Sequence, residues 1–156
     1  DDAGRRVARY DKIHLFGFQR GTEQYNESRT IEAGGGIVAF DSPVGRVGLS
    51  ICYDLRFPEL YRAMGPVDLL VVPAAFTHTT GQAHWELLLR ARAVENLCYV
   101  LASAQGGTHP SGRQTWGDSM AVGPWGAVFV SAGLLVSVLG AYLRASLPAL
   151  EHRRFF

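Results

Sequence analysis

Apolar positions along this chain fall into short blocks separated by glycine- and proline-rich breaks. Gly34, Gly35 and Gly36 lead into an apolar run at 37–40, and Asp41-Ser42-Pro43 then reads as a turn. Residues 46–52 place Val47, Leu49 and Ile51 on one face, the two-residue alternation of a strand, so the two runs predict a hairpin. Residues 58–64 predict a short helix with Pro58 at its first position, where the missing N–H is not needed. The unbroken run at 67–72, stopped by Pro73, has the pattern of a strand buried on both faces.

The clearest helical period covers 83–96. Leu87, Ala91 and Val94 make one stripe, Leu88 and Leu89 widen it, and Arg90, Arg92 and Glu95 lie on other faces. Residues 98–104 predict the next strand, and 119–122 and 127–130 flank a turn at Pro124-Trp125-Gly126. At the start, Asp1 to Gly4 reads as a turn and Arg5 to Ala8 as the strand it enters. Strands alternating with helices and followed by further strands predict an α/β layered domain with a mixed sheet.

The uncharged run at 119–143 is long enough to span a bilayer. Five glycine and proline positions within it favour strands and turns instead, and the expectation is no membrane segment. The 156 residues suffice for one domain, 47% hydrophobic and 19% charged. A net charge of +1 gives no electrostatic case for nucleic acid as a partner. Two cysteines make no disulfide framework, which points to a reducing, cytoplasmic setting. The chain opens on Asp1 with no signal peptide and reads as the later part of a longer domain.

Cys52 closes a predicted strand just before a predicted helix. A thiol at such a junction sits near backbone N–H groups that favour the thiolate, although a core cysteine is the plain alternative. Lys12, in Tyr10-Asp11-Lys12-Ile13-His14-Leu15-Phe16, is a candidate donor to a developing oxyanion or else an exposed strand residue. Glu27 and Glu86 alone read as surface carboxylates. The five histidines lack a tight metal spacing, and a Cys52 dyad with His84 or His14 stays open. Cys52 lacks flanking glycines of the nucleophile-elbow kind.

Taken together, these segments resemble nitrilase-superfamily carbon–nitrogen hydrolases. Tyr10 to Phe16 is similar to their lysine motif, and Ser50-Ile51-Cys52-Tyr53-Asp54-Leu55-Arg56-Phe57-Pro58-Glu59-Leu60 to their cysteine motif. Pro73-Ala74-Ala75-Phe76, His84-Trp85-Glu86, the stretch from Arg90 to Asn96, Gly117-Asp118-Ser119-Met120 and Pro124-Trp125-Gly126 continue the likeness. Leu147-Pro148 and His152-Arg153-Arg154 look like the family's tail, and 131–141 looks shortened. The likeness is strongest to the branch that contains omega-amidase and deaminated-glutathione amidase.

The resemblance implies a four-layer α-β-β-α sandwich and a Glu–Lys–Cys triad cleaving a small carboxamide, with no metal or organic cofactor. It implies Cys52 as nucleophile, Lys12 as catalytic lysine, Glu27 as the glutamate holding that lysine and the Tyr53 N–H as an oxyanion donor. Phe76, His78 and Thr79 are expected in the substrate pocket, approached by Thr80 and Gln105. Glu59, Arg92 and Glu95 are expected in ion pairs near the site, and a homodimer is the expected assembly. The family's general-base glutamate precedes the lysine motif. Only eleven residues stand before Lys12, so the domain is expected to be incomplete at its N-terminus and the chain alone nearly inactive. The alternative is a catalytically inactive domain serving only association.

Overall fold

The computed structural model describes residues 1–21 and 23–131. In chain order the strands and helices are β1 (Gly17–Arg20), β2 (Glu23–Asn26), β3 (Ala39–Ser42), β4 (Gly45–Leu49), α1 (Pro58–Ala63), β5 (Leu69–Ala74) and α2 (His78–Asn96). They continue with β6 (Tyr99–Ala104), β7 (Gly106–Thr108), β8 (Gln114–Trp116), β9 (Met120–Val122) and β10 (Val128–Ser131). Short 3-10 turns occupy Glu27–Arg29 and Cys52–Arg56.

Six strands form one mixed sheet in the order β10-β9-β6-β5-β4-β3. β4, β5 and β6 are parallel and the outer pairs antiparallel. Parallel neighbours need crossovers, and α1 and α2 supply them. Leu70 and Val72 of β5, Val100 and Ala102 of β6, and Met120 and Val122 of β9 are buried in one cluster with Leu60, Tyr61, Trp85 and Leu89. Truncating one of these leucines to alanine costs about 2–5 kcal/mol. The opposite face carries exposed apolar side chains. Tyr99, Leu101 and Phe129 are about half exposed (53%, 50% and 54%). The described residues build one α layer against one main mixed sheet, two of the four layers that the resemblance implies.

The hairpin is β3 and β4, although Asp41 and Ser42 pair within it instead of forming the turn. β5 starts two residues late and runs through Pro73 to Ala74. Val71 accepts from the Ser50 N–H on the β4 side, and Ala74 accepts from the Gln105 N–H on the β6 side. By alternation Pro73 faces β4, which has already ended at Leu49, so its missing donor breaks no ladder bond.

α2 begins at His78, five residues before the expected start. Its first turn lacks an apolar stripe and contains Gly81, a poor helix former. That glycine is required, because a Cβ there would lie 2.3 Å from the Trp116 side chain. Residues 5–10 form no strand; only the Asp1–Gly4 turn preceding them matches expectation. The strands expected around Pro124-Trp125-Gly126 are β9 and β10, which break the uncharged run. No described helix is long and apolar enough to cross a membrane. The family-like tail and most of 131–141 lie outside the described residues.

Candidate active site

A cleft of about 490 Å³ opens beyond the carboxyl ends of β4, β5 and β6. Ile51 and Cys52 follow β4, Pro73 and Ala74 end β5 with Ala75 next, and Ser103 and Gln105 come from the end of β6. This is where open α/β sheets place ligands. Tyr10, Asp11, Lys12, Glu27, Ile31, Glu32 and Arg113 close the other walls.

Cys52 lies where the chain leaves β4 and winds into the 3-10 turn. Its φ is +51°, a left-handed conformation that costs a non-glycine residue about 1–3 kcal/mol and is held only by its surroundings. Asp54, fully buried, supplies much of that hold. Its carboxylate accepts from the Ile51 N–H (2.9 Å), the Tyr10 hydroxyl (2.8 Å) and the His14 N–H (3.0 Å), and meets His14 Nδ1 at 2.8 Å. One side chain thus ties the segment carrying Lys12 to the turn carrying Cys52. From the far side, buried Arg92 donates twice to the Leu55 carbonyl (3.1 and 2.8 Å) and pairs with Glu95 at 2.5 Å.

Lys12 is the only lysine of the chain and is 9% exposed, not on a strand surface. Its Nζ lies 2.5 Å from Glu27 Oε2, and the same oxygen accepts from the Phe16 N–H at 2.7 Å. A buried ammonium requires such a partner. Gly34 seals the lysine segment from behind. Its N–H donates to the Lys12 carbonyl at 2.8 Å, and a Cβ at this position would sit 2.0 Å from the Asp11 oxygen.

Burial pushes the Cys52 thiol up from its ordinary range. The Lys12 ammonium, the Ala75 N–H bonded to the sulfur and the Arg113 guanidinium oppose this, while the Glu27 carboxylate adds to it. The Tyr53 amide lies in the first turn of the 3-10 segment, where N–H groups have no intrahelical acceptor.

The structure therefore brings Cys52, Lys12, Glu27 and Gln105 into one cleft. Phe76 and Thr80 line a small adjoining cavity with Cys52, Phe16 and Tyr53. His78 and Thr79 lie elsewhere: His78 packs edge-on against Trp116 in a separate recess, and Thr79 lines neither cavity. Neither histidine considered for a dyad serves Cys52, since His14 stacks on Phe57 and bonds Asp54 while His84 meets Arg56. Glu59 is exposed and makes no ion pair among the described residues. No three metal-ligating side chains cluster among the described residues. Arg113 escaped the sequence reading because nothing around Arg113-Gln114-Thr115-Trp116 alternates. The standing of Lys12 as sole lysine was the available signal for that residue.

The carbon–nitrogen hydrolase family profile matches residues 1–141. The deaminated glutathione amidase of Yersinia enterocolitica is 45% identical over 99% of this chain and 58% of its own length. The chain thus spans little more than half of that relative. The crystal structure of the Caenorhabditis elegans NitFhit protein superposes with a TM-score of 0.78 at 46% identity, over 99% of this chain and 40% of that one. A mutant amidase from Nesterenkonia sp. AN1, with acrylamide added to its active-site cysteine, superposes with a TM-score of 0.68 at 29% identity, over 82% of this chain and 48% of its own. By the profile match, the identity and the shared α/β fold, this chain belongs to the carbon–nitrogen hydrolase family of the nitrilase superfamily.

Proposed function

We propose that this chain carries the nucleophile, lysine and oxyanion donor of an amidase that cleaves a small ω-amide to acid and ammonia. The observation that supports it most is the single cleft shared by Cys52 and the buried Lys12–Glu27 pair. In this reading the Cys52 thiolate attacks the amide carbonyl. The negative oxygen is met by Lys12 Nζ and the Tyr53 N–H, the C–N bond breaks, and the nitrogen leaves as ammonia, carrying the proton that the thiol gave up. A thioester remains, and water hydrolyses it to the carboxylic acid and the free thiol. Glu27 already accepts from Lys12 and Phe16, so it orients the lysine and does not take the thiol proton. That proton goes to a glutamate upstream of the lysine motif, which has no counterpart among these 156 residues.

A ketoacid monoamide suits the cleft, and the relatives named deaminated glutathione amidase make that compound a candidate substrate. The unpaired thiols of Cys52 and Cys98 suit a reducing cytoplasm. Trp125, 95% exposed, and the exposed Leu87 and Leu97 suit a homodimer contact.

The test is ammonia release from a ketoacid monoamide. The chain alone is expected to fall about 10²- to 10⁴-fold short of a chimera bearing a family member's upstream segment. Turnover by the chimera should vanish in Cys52→Ala. A folded chimera without turnover overturns the amidase reading in favour of an inactive association domain.

A further inference from the structure

Arg113 stands on the wall of the Cys52 cleft, in the loop between β7 and β8. Its Nη2 donates to the Ala75 carbonyl at 2.6 Å, and its guanidinium stacks over the Tyr25 ring, 5.1 Å from the centroid. The N–H of the same Ala75 serves the Cys52 sulfur. Guanidinium and nucleophile therefore grip the two polar groups of one residue on the wall of a single cleft.

The guanidinium is short of acceptors. Nε is buried without any hydrogen-bond partner, the one such side-chain atom among the described residues. No described carboxylate forms an ion pair with Arg113. Glu27 is taken by Lys12, Asp11 by Arg9, and Glu32, though on the same cleft, forms no ion pair with it among the described residues. A partly buried cation held rigid by a carbonyl and an aromatic face, with donors to spare, is well prepared for a planar anion.

We propose that Arg113 is a specificity-determining residue that receives a carboxylate carried by the amide substrate a few carbon atoms from the scissile carbonyl. This rests on Cys52 being the nucleophile. The cleft then selects monoamides of dicarboxylic or keto acids over neutral amides. Lys12 does not take that part, because its charge is already matched by Glu27.

Alkylation of Cys52 tests the proposal without requiring turnover. Iodoacetate and iodoacetamide deliver the same carbon to the sulfur and differ in carrying a carboxylate or a neutral amide. Removing Arg113 also changes the thiolate fraction, but equally for both reagents, so their rate ratio isolates attraction for the anion. The full 156-residue chain is labelled with each reagent and the Cys52 adduct quantified by peptide mass spectrometry. The iodoacetate-to-iodoacetamide ratio is expected to fall about tenfold in Arg113→Met and less in Arg113→Lys, which keeps the charge but loses the planar fork. Glutarate should protect Cys52 from iodoacetamide in the unaltered chain, and neutral glutaramide or inorganic phosphate should not. An unchanged ratio in both variants, with Cys52 still labelled, overturns the role of Arg113 and leaves the nucleophile standing. Cys52 inert to both reagents in the unaltered chain overturns the nucleophile reading, and this proposal with it.

Discussion

Cys52 and Cys98 are both free thiols pushed up by burial, yet their surroundings differ in kind. Around Cys98 every further influence acts in the same direction. Asp68 and Glu95 add to desolvation, and the thiol is pushed up to about 11. Around Cys52 a lysine, a backbone N–H and an arginine pull the other way. Cys98 sits in the core at the end of α2, whereas Cys52 borders a cleft at the ends of three parallel strands. Burial alone therefore makes a thiol inert. Burial beside a matched cation and donors makes one whose anion, once formed, is stabilised.

The largest effect expected on this contrast comes from Asp54→Ala. Removing a fully buried carboxylate with four partners should cost about 3–5 kcal/mol, read as the urea midpoint. It should also free the Lys12 segment from the Cys52 turn, so that Cys52 labels like an ordinary exposed thiol. Retained stability would show that the clamp is not a determinant of the fold. In the unaltered chain, iodoacetamide at pH 8 should modify Cys52 at least about a hundredfold faster than Cys98, because Cys98 becomes accessible only through opening of the core. Comparable rates in a peptide-resolved time course would erase the distinction between the two thiols.

Lys12→Met should raise the Cys52 titration further, because the ammonium that opposes desolvation is gone, slowing its labelling at neutral pH several-fold while Cys98 keeps its rate. An unmoved pH–rate curve would remove the lysine from the site. The smallest effect concerns Cys98 and alkali. A thiol raised from 9.0 to about 11 on folding contributes stability present below pH 9 and lost as pH rises toward 11. Stability measured across that window should fall less steeply in Cys98→Ala than in the unaltered chain, and parallel slopes would contradict this.

Much of this arrangement is written in local pattern. The Cys52 turn is announced by an apolar alternation that stops before Tyr53-Asp54 and a proline that opens α1. β5, β6 and the β9–β10 hairpin were legible as apolar runs between turn residues. The β1–β2 and β7–β8 hairpins were not. In β1–β2 only the facing Phe18 and Tyr25 are apolar, and β7–β8 is glycine, threonine and glutamine but for Trp116, so neither shows an alternating stripe, and the described structure pairs them outside the main sheet. Arg113 belongs to that illegible part, since its value arises only where the loop folds over Ala75. Asp54 was visible merely as one letter of a motif. Three of its four contacts, to Tyr10 and His14, come from a segment forty or more positions away, a distance over which periodicity says nothing.

The left-handed backbone at position 52 sets durability against chemistry. Glycine adopts that conformation without penalty, so Cys52→Gly should melt at a higher temperature than Cys52→Ala, although both lack the sulfur. Equal melting temperatures would mean that the turn holds no such tension. If the difference appears, this fold keeps its cleft thiol at a residue that selection for robustness alone would have discarded.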